Sequence, residues 1–272
     1  CPYHAWSYNL KGQLKAAPHI GGTNQHKPEG FNFLDHGLKP IRTHIWHDWI
    51  FINFNGKAKK FEEYAKPLIK RFNDIDLTKL NYVATLDFGK INTNWKFLIE
   101  NFIEPYHVQF VHKTTTNQPL KDHYTFVDGK CYGSGIDVEK EDAKNGSALS
   151  VTSRYLSLFP NFIIGTYFPN QVGVYLNIPI SPGVTSQKRI IYTTDSKEMT
   201  KKEIQTTKDI WWSVHKEDHE ICERLQEGRS SPASHSGGLL SPIWEKGVQE
   251  FQKLIINSIN KSFKIKRRVK NV

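Results

Sequence analysis

Cysteine is scarce in this chain, with three residues in 272, at Cys1, Cys131 and Cys222. Cysteines so few and so far apart do not make a disulfide framework, which fits a reducing compartment and predicts a cytoplasmic protein. Long apolar runs are absent as well: the longest, Trp49 to Ile52, is far shorter than the roughly 20 residues that cross a bilayer. No charged-then-apolar leader precedes Cys1, so we expect neither export nor a membrane partner.

Acidic residues do not balance the basic ones, and the formal net charge is +10. Much of this excess is concentrated in the last twelve residues, which contain Lys261, Lys264, Lys266, Arg267, Arg268 and Lys270. Nucleic-acid binding would require aromatic stacking or a known binding motif beside these charges, and the sequence has neither. We therefore predict a solvated basic tail over residues 261–272 and no nucleic-acid partner.

The first 90 residues are typical of short strands and connections. Residues 43–54 are rich in Ile, Trp and Phe and predict a strand that ends at the turn dipeptide Asn55-Gly56. Residues 57–90 are rich in lysine and predict a connecting segment with a short helix at Phe61 to Tyr64. The length of the chain suits one large domain or two small ones.

The remainder alternates between helices and a block of strands. Residues 92–112 predict a helix in their first half, and Thr200 to Gly228 predict a long helix that begins with a Thr-x-x-Glu capping box. The expected strands are residues 124–127 and 130–138 around Asp128-Gly129, 162–168 and 172–179 around Pro169-Asn170, and 189–194. Antiparallel strands with long helices grouped apart from them define an α+β fold.

Two histidines, His107 and His112, lie five residues apart near the end of the first helix. On a regular α-helix, residues five apart point roughly 140° away from each other and cannot share a metal ion. Pro105 removes a hydrogen-bond donor and clashes with the preceding turn, so it predicts a kink or a helix end here. With that break, both imidazoles can face one site; without it, they are two ordinary histidines at a helix end.

Asp218 is the carboxylate that stands out in the long helix. It falls on the apolar stripe between Val214 and Ile221, and a charged group facing a core is costly unless it is paired or binds a metal ion. Glu217, Glu220 and Glu223 lie off that stripe and are expected to be solvated. Two imidazoles and one carboxylate are the ligands of mononuclear non-haem Fe(II). A buried salt bridge of Asp218 with Arg224 or a lysine is the alternative.

Five segments, in chain order, carry a resemblance to a known family. They are Cys1-Pro-Tyr-His-Ala-Trp-Ser-Tyr8, Asn94-Trp-Lys96, the run from Glu100 to His112, the run from Glu217 to Gly228, and Leu240 to Phe251. Together they resemble the catalytic (alpha) subunit of Rieske-type non-haem iron oxygenases, the aromatic-ring-hydroxylating dioxygenases. The resemblance implies the C-terminal part of a small all-β Rieske domain over residues 1–56. A helix-grip catalytic domain would follow over residues 57–260.

The resemblance also implies two metal cofactors. His107, His112 and Asp218 would bind a mononuclear Fe(II), and Cys1 and His4 would supply half of the ligands of a 2Fe–2S Rieske cluster. The other half, a Cys-x-His pair, is expected upstream, so we interpret the chain as truncated within its Rieske domain.

Two further residues match positions that the family uses near the iron. Glu104 corresponds to the carboxylate that links an iron-ligating histidine to the Rieske cluster of the neighbouring subunit; the family usually has aspartate there. A surface glutamate is the ordinary alternative. Asn101 corresponds to the family's asparagine near the iron, with helix packing as an equally good reading.

The implied activity is oxidation of an organic substrate by O2, with electrons from a separate reductase or ferredoxin and a head-to-tail homotrimer as the assembly. Glutamate at position 104 slightly favours monooxygenation or demethylation of an amine over ring dihydroxylation. Aromatic residues such as Trp211, Trp212 and Tyr167 could surround a quaternary amine, line an arene pocket or pack the core. A metal-free ligand-binding helix-grip protein is the alternative from another class.

Overall fold

The chain divides into two compact units, Cys1–Phe61 and Glu62–Val272. The computed structural model describes residues 1–116, 118–136, 152–167 and 169–269. The ends of two predicted strands, at residues 137–138 and 168, lie outside the described residues. The sequence places the domain boundary slightly earlier, after residue 56.

The first unit contains two small antiparallel hairpins. Strand β1 (Ser7–Tyr8) pairs with β2 (Leu14–Ala16), and β3 (Arg42–Trp46) pairs with β4 (Trp49–Asn53). The prediction of one strand over residues 43–54 is wrong, because the chain reverses at His47, whose φ is 51°. Neither Gly nor Pro marks that turn. The predicted turn at Asn55-Gly56 is confirmed, and Gly56 has φ 64°.

The second unit is built on a seven-stranded antiparallel sheet in the order β5-β11-β10-β9-β8-β7-β6. Its strands are β5 (Asn81–Ile91), β6 (His123–Asp128), β7 (Cys131–Ile136), β8 (Ser153–Leu158), β9 (Phe162–Tyr167), β10 (Gln171–Ser181) and β11 (Val184–Thr193). The predicted hairpin β6–β7 is confirmed, with Gly129 at φ 58° in its turn. The pairing of β9 with β10 is confirmed as well.

Two strands are missing from the sequence-based prediction. Strand β5 occupies part of the segment predicted as a lysine-rich connection, and β8 was not predicted. Within the described residues, strand β5 lies at the edge of the sheet beside β11, and its buried Ala84 and Leu86 alternate with exposed Thr85 and Asp87. The charged residues of the segment outweighed this short alternation, and Gly89, with φ 67°, lies beside a register shift that interrupts it.

The described residues form six α-helices. They are α1 (Phe61–Tyr64), α2 (Lys66–Lys70), α3 (Trp95–Ile103), α4 (Val108–Val111), α5 (Lys201–Ser230) and α6 (Lys246–Val269). The capping box of Thr200 and Glu203 at the start of α5 is confirmed. The predicted stop at Gly228 is wrong, since α5 continues to Ser230. Helix α6 extends past residue 260, into the segment predicted to be a tail.

The start of α3 is held against the C-terminal half of α5. Thr93 Oγ donates a hydrogen bond to the Cys222 carbonyl oxygen at 3.0 Å. The Asn94 backbone N–H donates to Gln226 Oε1 at 2.9 Å. These bonds join parts of the chain that are about 130 residues apart, and they fix how α3 lies along α5.

The core of this unit lies between the sheet and helices α3 and α6. Ile99 and Ile103 of α3 are buried with Phe251 of α6 against Tyr132 and Ile163 of the sheet. Helices packed on an antiparallel sheet confirm the α+β fold class. Within the described residues, none of the helices is long and apolar enough to cross a membrane.

Candidate metal centre

The chain between His107 and His112 departs from a regular helix. Helix α3 ends at Ile103, and Glu104 is extended, with φ −119° and ψ 144°. Proline disfavours the helical conformation in the residue before it, which explains why the helix ends there. A new single turn, α4, then begins after His107 and ends before His112. The predicted helix end between Asn101 and His112 is therefore confirmed.

Helix α5 presents Asp218 to both histidines. The Oδ1 atom of Asp218 lies 3.0 Å from Nε2 of His112 and 3.6 Å from Nε2 of His107. One potential ligand atom from each of the three residues lies within 4.8 Å of the others. The structure thus brings the histidine pair together with an aspartate more than one hundred residues further along the chain, with the atoms that a metal ion would require facing one another.

Glu104 binds the far side of the His107 ring. Its Oε1 lies 2.5 Å from Nδ1 of His107, and its Oε2 accepts hydrogen bonds from the backbone N–H groups of Tyr106 and His107. The Glu104 side chain is only 12% exposed, so it is not a surface glutamate. This contact fixes the orientation of the ring and turns Nε2 toward Asp218.

Glu217 orients the His112 ring in the same way, contrary to the expectation from sequence. Its Oε2 lies 2.7 Å from Nδ1 of His112 and accepts a hydrogen bond from Thr115 Oγ at 2.6 Å. The expectation that Glu217 is solvated is wrong, because it lies beside the metal-facing stripe of α5 and His112 reaches it. Nothing in the local pattern indicates this contact, which depends on where α4 packs.

Charge is concentrated at these side chains. Burial lowers the pKa of His112, but the carboxylates of Asp218 and Glu217 outweigh burial and raise it to about 9. The pKa of Asp218 is lowered despite its burial, chiefly because His112 lies beside it. Without a metal ion, the site therefore retains a proton between His112 and Asp218. A metal ion, which binds neutral imidazole, would displace that proton.

The donor atoms fit a metal ion. With Nδ1 of each histidine bound to a carboxylate, the lone pair of each Nε2 in the neutral ring faces the carboxylate of Asp218. The Oδ1 atom of Asp218 is buried, and the two Nε2 atoms are the groups that lie close to it among the described residues. Three lone pairs directed at one another repel unless a positive charge lies between them. The two ring nitrogens and one carboxylate are a donor set suited to Fe(II).

A cavity of about 770 Å3, counted with its opening to solvent, adjoins this site. Asn101 lines it from α3, together with Phe102 from the same helix and Tyr155 and Gln187 from the sheet. Asn101 therefore lines the same cavity as the three candidate ligands. Most of the other lining residues are apolar or aromatic, which is typical of a pocket for a small organic molecule.

Cys1 and His4 lie in the first unit. Both belong to one turn, which is closed by a hydrogen bond of 2.9 Å from the Ala5 N–H to the Cys1 carbonyl oxygen. Both residues are exposed. A Rieske cluster takes two cysteines and two histidines, so these two residues would supply half of its ligands, and that role stays a prediction. Among the described residues, only His107, His112 and Asp218 form a group of three or more potential ligands.

A site of two histidines and one carboxylate, beside a cavity lined by many apolar and aromatic side chains, is typical of mononuclear non-haem iron proteins. Residues 70–260 match the family model for the catalytic domain of the ring-hydroxylating alpha subunit. The chain belongs to this family, the catalytic subunits of Rieske non-haem iron oxygenases.

Individual relatives agree with this assignment. Choline monooxygenase from Atriplex hortensis is 26% identical over 258 residues, which are 92% of this chain and 57% of that protein. The crystal structure of a quaternary ammonium Rieske monooxygenase matches 94% of this chain and 70% of its own, at a TM-score of 0.76 and 20% identity. Naphthalene 1,2-dioxygenase matches 89% of this chain and 64% of its own, at a TM-score of 0.62 and 19% identity. The chain therefore spans less than two thirds of the length of that choline monooxygenase.

Replacement of Asp218 tests the carboxylate ligand. We expect Asp218→Asn to keep the fold, because size and shape barely change, and to lower Fe(II) affinity more than 100-fold, because a neutral amide is a poor ligand and cannot offset the ion's charge. Iron content after dialysis, measured by mass spectrometry, reports the loss. Glu220→Gln removes an exposed charge from the same helix and is the matched control. Full iron retention in Asp218→Asn would contradict the assignment.

Replacement of Glu217 tests the contact that the sequence did not reveal. Glu217→Ala should weaken Fe(II) binding about 10- to 100-fold, because it removes the oxygen that accepts a hydrogen bond from Nδ1 of His112 and leaves nothing to orient the ring. A competition titration with a metal chelator measures the affinity. Glu220→Ala, on the same helix, serves as the control, and equal affinities of the two variants would show that Glu217 does not support the site.

Proposed function

We propose that this chain is the catalytic part of an oxygenase that oxidises an organic substrate with O2 at a mononuclear Fe(II) bound by His107, His112 and Asp218. The observation that carries this proposal is the convergence of those three side chains beside an apolar cavity. Bound iron would supply oxygen activation. His107, His112 and Asp218 would hold the iron at the edge of the cavity, where a substrate has room to bind.

Glu104 and Glu217 each hold one imidazole in the orientation that turns Nε2 toward the metal. We propose a further role for Glu104 as the carboxylate through which electrons reach the site, which the family resemblance implies. Asn101, which lines the cavity, is proposed to contact the substrate or O2. The proximity of these groups to one site supports the roles.

Electrons are proposed to arrive from a reductase or ferredoxin through a 2Fe–2S Rieske cluster, with Cys1 and His4 as two of its ligands. The resemblance implies a homotrimer in which the cluster of one subunit serves the iron of the next. The solved quaternary ammonium monooxygenase is described in terms of inter-subunit electron transfer, which supports this arrangement. We propose a cytoplasmic location, in keeping with three free cysteines.

An amine is the substrate class that we propose, by monooxygenation or demethylation. Glutamate at position 104 and the similarity to choline monooxygenase favour it. Ring dihydroxylation is the second candidate, because naphthalene 1,2-dioxygenase shares the fold and the cavity wall is rich in aromatic side chains. A metal-free ligand-binding protein is the third; the convergence of two imidazoles and a buried carboxylate at one point argues against it.

Isotope labelling tests the reaction. The full natural protein, supplied with iron, a reductase and 18O2, should incorporate one labelled oxygen atom into an amine or release its methyl group as formaldehyde. His107→Ala should abolish the reaction, because one of three iron ligands is lost. Incorporation of two labelled atoms into an arene would instead favour the dihydroxylation candidate. Unchanged ligand binding in a protein that holds no iron would support the metal-free alternative.

Glu104→Gln separates electron delivery from iron binding. The amide can still accept a hydrogen bond from His107, so we expect iron to remain bound within about tenfold of the original affinity. Turnover should fall at least 100-fold, because the charged link to the cluster is lost. Stopped-flow oxidation of the reduced cluster measures the electron transfer. Loss of iron without any change in transfer rate per bound iron would show that Glu104 acts only on the metal site.

A further inference from the structure

Arg189 of strand β11 is fully buried, with 0% of its surface exposed. Its guanidinium lies between three aromatic rings, with Cζ at 3.3 Å from the ring centre of Trp211, 4.8 Å from Tyr167 and 4.9 Å from Tyr175. We call these three rings the aromatic box. All three also line the cavity beside the metal site. A permanent positive charge therefore lies directly behind the wall of that cavity.

No carboxylate of the described residues pairs with this guanidinium, and its Nε and Nη2 atoms have no hydrogen-bond acceptor there. Nη1 donates a hydrogen bond to the Tyr175 hydroxyl and lies 3.4 Å from Nε2 of His215. Burial, and then the charge of Arg189, lower the pKa of His215 well below its usual value, so that ring is neutral. Cation–π contact offsets only part of the cost of burying a charge without a partner.

Arg189 already occupies the aromatic box, so these ring faces are not available to a cationic substrate. Trp211 and Tyr167 were candidates to surround a quaternary amine, but their ring faces cover Arg189 instead. Trp212, the third candidate, is 48% exposed and does not line the cavity. A substrate cation placed at this end of the cavity would be repelled by the guanidinium.

A hydrogen-bond chain runs from Arg189 through the hydroxyl groups of Tyr175 and Tyr167, two residues that line the cavity. They lie 2.8 Å apart, and Tyr175 accepts from Arg189, which has no lone pair with which to accept a proton in return. The pair has two O–H groups, and one of them is used between the two oxygens. Burial raises the pKa of Tyr175 well above its usual value, so it stays protonated. One O–H therefore remains to donate to a group in the cavity.

We propose that the substrate carries a carboxylate, which accepts a hydrogen bond from the Tyr167–Tyr175 hydroxyl pair and is stabilised by the charge of Arg189 behind it. This inference rests on the proposed function and refines its substrate class to an amine that also bears a carboxylate. Arg189 is a positioning residue here, since it acts through Tyr175. Gly173 makes room for it: a Cβ at that position would lie 2.8 Å from Nη2.

Matched acid and amide ligands test the proposal by binding alone. The probes are 4-(trimethylammonio)butanoate, 4-aminobutanoate and benzoate, each with its primary amide, titrated calorimetrically into the full natural protein without oxygen. We expect at least one acid to bind about 10- to 100-fold more tightly than its amide, the effect typical of hydrogen bonds to a charged group. Equal affinity in every pair, or no binding of any acid, would overturn the proposal.

Three variants assign the preference to these residues. Arg189→Met, similar in length, should reduce the acid's affinity to that of the amide and leave the amide unchanged. Tyr167→Phe, which keeps the ring, should weaken acid binding about tenfold and remains informative if Arg189→Met does not fold. Lys188→Met removes a charge from the opposite face of β11, where Lys188 pairs with Asp87 at 2.7 Å, and should change nothing beyond about twofold. An equal loss in Lys188→Met would refute the role of Arg189.

The two proposals can fail separately. Binding without oxygen does not depend on iron chemistry, so an acid preference that follows Arg189 would stand even if no amine is oxidised. Conversely, oxidation of amines with no preference for acids would uphold the oxygenase and overturn the carboxylate site.

Discussion

The end of helix α3 at Ile103 is the constraint on which the metal site depends. A continuous helix would direct His107 and His112 to different sides, and Asp218 could face only one of them. Pro105 and the extended Glu104 before it interrupt the hydrogen-bond ladder, and the chain resumes as a single turn with one histidine at each end. The same interruption brings Glu104 back onto the His107 ring, so the break both creates the site and orients it.

Groups of opposite charge lie around the cavity. The carboxylates of Asp218, Glu104 and Glu217 surround the two histidines and favour a bound cation. Arg189 lies behind the aromatic wall with no carboxylate partner among the described residues, which favours an anion beside that wall. A substrate of the proposed class, with both an amine and a carboxylate, would be oriented by these charges.

The sequence predicted elements well where a local physical signal exists. The Thr200–Glu203 capping box, the turn at Gly129 and the break at Pro105 are each produced by the residues themselves, and each is confirmed. Prediction failed in two places. The lysines of residues 57–90 outweighed the alternation of buried Ala84 and Leu86 with exposed Thr85 and Asp87 in β5, and the hairpin turn His47-Asp48 contains neither Gly nor Pro.

By itself, the sequence determined the family, the α+β class and the candidates His107, His112 and Asp218, since these follow from motif order, periodicity and the cost of a carboxylate on an apolar stripe. Only the tertiary structure decided their partners. Glu217 faces His112 because α4 packs on α5, and Arg189 fills the aromatic box because β11 passes beneath Trp211. Contacts between distant segments leave no periodic trace in the chain, because a side chain's environment depends on the packing of elements that are remote in sequence.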